Sequence, residues 1–328
     1  LVIAAAALLT LAAVDLVVRR VAPPRNLREV QDAVKELEDG NPTALAIGSS
    51  HARTFAVLAD SLATRSAGRE RLLAVPVEWG KLSSYQWTLE NRLLPLFDER
   101  DGDGDLRRGS LRRAIIVTEW WDSCAGADQP QNLPARAWAW QHYWDDLRRH
   151  GFSDYNSSFL SYRFSRLTRF SALMQDRGRT RFPTALREAL VPGPAREETS
   201  GYRDLMENWQ LLVETGDKCI GDQAQMASLV AMVDTLLARR LEVTVLLYPR
   251  MPSTLTPTAR QTTLPRFVGM AQAALGGRNV RLIDLTDAAP LNDADFGEDF
   301  DHLLPEANSR FAGWALDGPF AFLLEGSR

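Results

Sequence analysis

Two segments far apart in the chain hold residues that could act together in acyl transfer. Gly48-Ser49-Ser50-His51 follows a short apolar run, and Asp299-Phe300-Asp301-His302 stands near the other end. A serine hydroxyl is a weak nucleophile until a neighbouring base takes its proton. Histidine suits that task because its ordinary pKa is near neutrality, and a nearby carboxylate can fix its tautomer. His302 therefore reads as a general base, with Asp299 or Asp301 as the acid that orients it. Ser50, at the start of a helix, reads as the nucleophile, since free N–H groups at a helix start favour an oxyanion. Each segment also has a plainer reading. Serine is a common helix cap, and a loop histidine beside acids is often surface chemistry only. Histidine is scarce, however, with four in 328 residues.

The elements that must position these residues follow from hydrophobic spacing. Residues 43–47 form a short apolar strand closed by Gly48, which is expected to let the chain turn sharply, and 52–64 has helical spacing. Residues 72–77 form a second strand ending near Gly80, followed by a helix over 83–96 with Ser83 or Ser84 as its cap. Strands are expected at 114–117, 243–248 and 280–285, helices at 224–240 and 258–275. A last helix over 305–324 starts at Pro305, a residue well suited to a first turn. Five apolar strands separated by helices imply an α/β fold, a mostly parallel sheet with helices on both faces. In such sheets ligands bind outside the carboxyl ends of the strands, where each notable polar cluster here falls.

Between about 125 and 222 the alternation is lost, and Trp138, Trp140, Tyr143 and Trp144 open an aromatic, Arg-rich stretch. It reads as a helical insertion covering the site, its aromatics forming core. A surface that binds carbohydrate through tryptophans is the competing reading. Asp101-Gly-Asp-Gly-Asp105 has the alternation of a calcium loop but lacks the closing Glu, which favours a solvated turn. The net charge of -4, without a basic stripe, argues against nucleic acid as a partner. Cys124 and Cys219 are too far apart, and too far from histidines, to read as a zinc site. They are two isolated thiols or, in an oxidising compartment, one disulfide pinning the insertion at both ends. No metal or other cofactor is expected.

Residues 1–18 are apolar except for Thr10 and Asp15 and end at Arg19-Arg20. That length crosses about 30 Å of hydrocarbon, and no good cleavage site follows. The expectation is a transmembrane anchor at 1–20, a linker and leading helix at 21–40, and one domain over 41–328. Asp15 inside the span would be costly against lipid and points to a membrane-protein partner. The flanking arginines leave the side of the membrane open.

Gly48-Ser49-Ser50 after the first strand, with Asp299-x-x-His302 before the last helix, resembles the SGNH/GDSL hydrolase superfamily. The resemblance covers the order of elements over 43–324 outside the insertion. It implies a flavodoxin-like fold, with Ser50 as nucleophile, His302 as base, and Asp299, or Asp301 in its place, as the acid. The oxyanion hole would use the Ser50 N–H and Gly80. The family's Asn after the third strand is absent here, where Thr118-Glu119-Trp120-Trp121-Asp122 stands. With Ser49 in place of the usual Asp and a membrane helix in front, the chain looks like the envelope branch that acts in D-alanylation of teichoic acid and in O-acetylation of alginate or cellulose. That resemblance implies a periplasmic or extracellular acyltransferase or esterase acting on an envelope polymer or lipid-linked substrate through a Ser50 acyl-enzyme, beside an integral-membrane partner. A subunit that has kept the fold and lost catalysis is the alternative.

Overall fold

The computed structural model describes residues 25–77, 80–98, 111–124, 144, 147–148, 206–207, 210–211, 219–297 and 299–325. The expected anchor, the Asp101–Asp105 loop and most of the insertion lie outside these residues. Among the described residues no helix is long and apolar enough to cross a membrane.

The chain opens with α1 (Arg25–Asp39), whose Val30, Ala33 and Leu37 recur at helical spacing and are buried. Then come β1 (Ala44–Gly48), a 3-10 turn (Ser50–Arg53), α2 (Thr54–Arg65) and β2 (Leu72–Pro76). Helix α3 (Leu82–Thr88) runs through a π turn (Leu89–Leu93) into α4 (Leu94–Asp98), and β3 (Arg113–Thr118) ends in a 3-10 turn (Trp120–Ser123). After the insertion come α5 (Gln223–Ala238), β4 (Glu242–Leu247), α6 (Leu264–Leu275), β5 (Val280–Asp284) and α7 (Pro305–Asp317).

All five strands are parallel, in the order β2-β1-β3-β4-β5. This is one of the common doubly wound orders. Side chains alternate between the faces as the pleat requires. Leu45, Ile47, Ala114, Ile116, Val243 and Val245 join the core under α1, α3, α5 and α6. Ala44, Ala46, Ile115, Val117 and Leu246 join the core under α2 and α7. Both faces are covered, so β1 and β3 are buried at every residue.

Three expectations change. Gly48 is not in the left-handed region; its lack of a side chain matters because a Cβ there would stand 2.3 Å from the Val117 carbonyl oxygen of β3. Neither Ser83 nor Ser84 caps α3, which begins after Lys81; the Ser83 N–H is satisfied by Gln225 Oε1 of α5 at 2.9 Å. The last helix stops at Asp317, and a separate 3-10 turn (Ala321–Leu323) then buries Phe322 and Leu323 beside Phe320 in the α2 and α7 core.

Cys124 and Cys219, 95 positions apart in sequence, are joined in a disulfide with Cα atoms 4.5 Å apart. The bridge holds the two ends of the insertion together. Lys81 reinforces the same corner by donating to the Cys124 carbonyl at 2.7 Å.

Candidate active site

The carboxyl end of β1 delivers the first half of the site. Ser49 is extended and caps the 3-10 turn by accepting the His51 N–H at 3.3 Å. Ser50 is the first residue of that turn, so its own N–H precedes any acceptor the turn can offer. Arg53 closes the turn and pairs with Glu29 of α1 through two bonds, 3.0 and 2.8 Å long. The start of α1 therefore lies beside the nucleophile turn.

The second half comes from the loop between β5 and α7. An isolated bridge joins Phe296 to Leu303, and the Gly297 N–H donates to the His302 carbonyl at 2.8 Å, so 296–303 folds back on itself. At its tip Phe300 is left-handed, with φ 59°, and its side chain is wholly buried. A bulky residue adopts that backbone only where packing enforces it. Here the buried ring fixes the tip, and the reversal sends Asp299 and Asp301 to different partners.

Asp299 takes the imidazole. Its Oδ2 lies 2.8 Å from His302 Nδ1, while its Oδ1 accepts the N–H groups of Asp301 and His302 at 3.1 and 3.0 Å. Burial raises this carboxyl, but the bonds from the His302 ring and the two N–H groups outweigh it and bring its pKa down to about 2. Asp299 is thus ionised at neutral pH. The far ring nitrogen, His302 Nε2, lies 2.6 Å from Ser50 Oγ. Ser50, His302 and Asp299 form one continuous relay, with the imidazole oriented as a general base would need to be.

Asp301 turns inward instead. It accepts from Arg250 and lies 3.2 Å from His51 Nε2. Burial opposes its charge, yet His51 and Arg250 hold it far below the ordinary carboxylate range. Arg250, just past β4, also donates to Glu119, just past β3. His51 is buried, with Nδ1 2.8 Å from Ser49 Oγ and its ring stacked on Tyr248 at 4.2 Å. Burial disfavours its proton, but Asp301 and then Glu119 more than compensate, raising its pKa to about 9. Behind Glu119, burial and the Glu119 charge push the Asp122 carboxyl up to about 8.

Of the residues expected from the sequence, Ser50, His302 and Asp299 stand together, and Asp301 serves a different contact. Gly80 is buried after β2, and its N–H donates to the Val77 carbonyl at 2.8 Å. The Glu119 N–H is likewise taken, by Asp122 Oδ2 at 3.0 Å. Among the described residues, the Ser50 N–H is the oxyanion donor of the expected set that has no acceptor. Sequence reading missed His51, Glu119 and Arg250 as site residues. The available signal was charged or titratable residues placed directly after buried strands.

His51, Asp301 and His302 also bring potential ligand atoms within 4.8 Å of one another. Arg250 on Asp301 and Ser50 on His302 engage those groups, and the added positive charge makes a poor cation cradle. No family model and no curated protein matches the chain.

Proposed function

We propose that the chain is an acyltransferase or esterase of the SGNH/GDSL hydrolase type that works through an ester on Ser50. The observation that carries this reading is the relay from Ser50 Oγ to His302 Nε2, 2.6 Å, and from His302 Nδ1 to Asp299, 2.8 Å. It stands at the carboxyl ends of a parallel sheet in the 2-1-3-4-5 order. In the first half-reaction Ser50 Oγ bonds to the acyl carbonyl carbon as its proton passes to His302 Nε2. The tetrahedral adduct then expels the donor's alcohol oxygen, which takes that proton. In the second half an acceptor hydroxyl, or water, gives a proton to His302 and attacks the Ser50 ester. Collapse returns the proton to Ser50 and releases the acylated acceptor.

The envelope setting belongs to the same proposal. Because the start of α1 lies beside the Ser50 turn, an anchor over residues 1–18 would leave six residues, about 20 Å when extended, between the membrane and the catalytic face. A substrate held at the membrane surface, or passed on by an integral-membrane partner, suits that distance. The domain would lie on the periplasmic or extracellular side, the compartment that suits the Cys124–Cys219 bridge.

Purified protein treated with a fluorophosphonate probe is expected to carry one label, lost in Ser50→Ala and in His302→Ala. A label that survives Ser50→Ala would overturn the assignment. The engaged N–H groups of Gly80 and Glu119 favour one second reading, a structural subunit of a membrane complex that has lost catalysis. Absence of label, together with a stoichiometric complex indifferent to Ser50→Ala and His302→Ala, would favour that reading.

A further inference from the structure

Beneath the relay four charged side chains close a ring of alternating sign. Arg250 donates through one nitrogen, Nη1, to Glu119 and to Asp301. Asp301 Oδ1 lies 3.2 Å from His51 Nε2, and His51 Nδ1 lies 3.8 Å from Glu119 Oε1, which completes the circuit. The four side chains are between 1% and 15% exposed. Each comes from a different segment at the carboxyl end of the sheet: the turn after β1, the end of β3, the end of β4 and the base loop. Two of them adjoin the reacting residues in the chain, since His51 follows Ser50 and Asp301 precedes His302.

Desolvation offsets much of the attraction in a buried ion cluster, so stability alone gives little reason for one. Geometry gives a better reason. We propose that His51, Glu119, Arg250 and Asp301 are positioning residues that lock the nucleophile turn to the base loop, Asp301 serving as a second anion beside the His302 ring. This inference rests on the acyl-transfer reading of the site.

The charge balance explains why all four members matter. When His302 takes the Ser50 proton it becomes a cation facing the His51 ring, whose centroid is 5.2 Å away. His51 itself is charged at neutral pH, so alone it would oppose that step. Asp301 and Glu119 face the His51 charge within the ring, and Arg250 aims both carboxylates and helps hold Asp301 ionised. Removing Asp301 takes away both the anion that sustains the His51 charge and the second anion beside the forming imidazolium. The groups that face His51 are Glu119 from the end of β3, Arg250 and Tyr248 from the end of β4, Asp301 and His302 from the base loop, and Ser49. Asp122 lies behind Glu119.

The test measures fluorophosphonate labelling against pH and the ring-nitrogen NMR shifts of His302, in the full chain and in Asp301→Asn, Arg250→Lys and His51→Gln. Asp301→Asn is expected to label about 10²-fold more slowly, the size of effect typical of small misplacements at a reacting centre. The probe's half-saturation concentration should hold and the His302 ring shifts should move. His51→Gln should lose the change in labelling rate expected of wild type near pH 9, where His51 gives up its proton. A folded Asp301→Asn with the wild-type rate and unmoved His302 shifts would overturn the proposal. If Asp301→Asn does not fold, Arg250→Lys and His51→Gln decide by the same two readouts. A wild-type protein that takes no label would defeat the acyl-transfer reading instead, and the His302 shifts would still report whether the ring sets the base.

Discussion

At the amino end of the sheet Glu70, 1% exposed, accepts from Thr43 Oγ1 at 2.7 Å, Arg112 at 2.7 Å and Arg113 at 3.5 Å. Arg113 also donates to the carbonyls of Leu323 and Glu325, so the cluster ties the entries of β1, β2 and β3 to the last turn of the described chain. At the carboxyl end Arg250 gathers Glu119 and Asp301 in much the same manner. Both clusters bury charge and both join segments distant in sequence. They differ in their neighbours. Thr43, Arg112 and Arg113, which donate to Glu70, lie at the opposite end of the sheet from Ser50 and His302. The Arg250 ring adjoins Ser50 and His302, one of which would gain a proton as the other loses it in the proposed reaction. Buried charge alone is therefore no sign of function; its contact with groups that titrate during the reaction is.

The strongest way to break this comparison is to exchange the expected phenotypes of the two ends. Asp299→Asn keeps an oxygen to accept the loop N–H groups but cannot hold the imidazolium. Acylation of Ser50 is expected to fall about 10⁴-fold, the scale seen when a triad acid is made neutral. Stability should hardly change, because the Asp299 side chain is 55% exposed. Glu70→Ala should do the reverse. Removing the buried carboxylate that Thr43, Arg112 and Arg113 share leaves Arg113 only the exposed Glu242, 3.4 Å away, and is expected to cost about 3 kcal/mol in urea denaturation, while the labelling rate of the folded fraction stays at the wild-type value. A Glu70→Ala protein that is stable but slow to label would abolish the distinction between the ends.

The sheet was legible because its strands are short, contiguous and apolar, and because both faces are covered no polar residue interrupts β1. Ser50 and His302 were legible for a related reason: each follows or precedes a clear element in a loop that must lie at the carboxyl end. The choice between Asp299 and Asp301 was not. It turns on the left-handed backbone at Phe300, which packing of that ring against α2 and α7 enforces. Nothing local in the sequence announces it. Glu119 and Arg250 are 131 positions apart, and a pairing made only by adjacent strands leaves no periodic trace. The role of Gly48 was misread for the same reason, since the close neighbour is a β3 carbonyl rather than the next residue of its own chain. Gln225, which replaces the expected serine cap of α3, also acts from across the fold.

The smallest expected effect separates the two ends by pH. His51 has a folded pKa of about 9 against an ordinary value of 6.5, so between these values the folded state holds a proton that the unfolded chain has lost. Its contribution is complete below pH 6.5 and disappears as pH rises through 9, with a ceiling of about 3 kcal/mol that sharing of charge within the ring reduces. Asp122 acts with the same sign in another window. Its folded pKa of about 8, against an ordinary 3.8, means that keeping it protonated costs stability progressively from pH 3.8 up to about 8. The windows overlap between 6.5 and 8, and only the decline from 8 to 9 belongs to His51 alone. Urea denaturation from pH 5 to 10 should therefore show wild-type stability still falling above pH 8, whereas His51→Gln is level there and Asp122→Asn keeps the upper decline. Glu70→Ala, lower throughout, should run parallel to wild type because it leaves His51 and Asp122 in place. Equal slopes above pH 8 in wild type and His51→Gln would mean that His51 carries no extra proton, and that pH does not separate the ring at the carboxyl end from the cluster at the other.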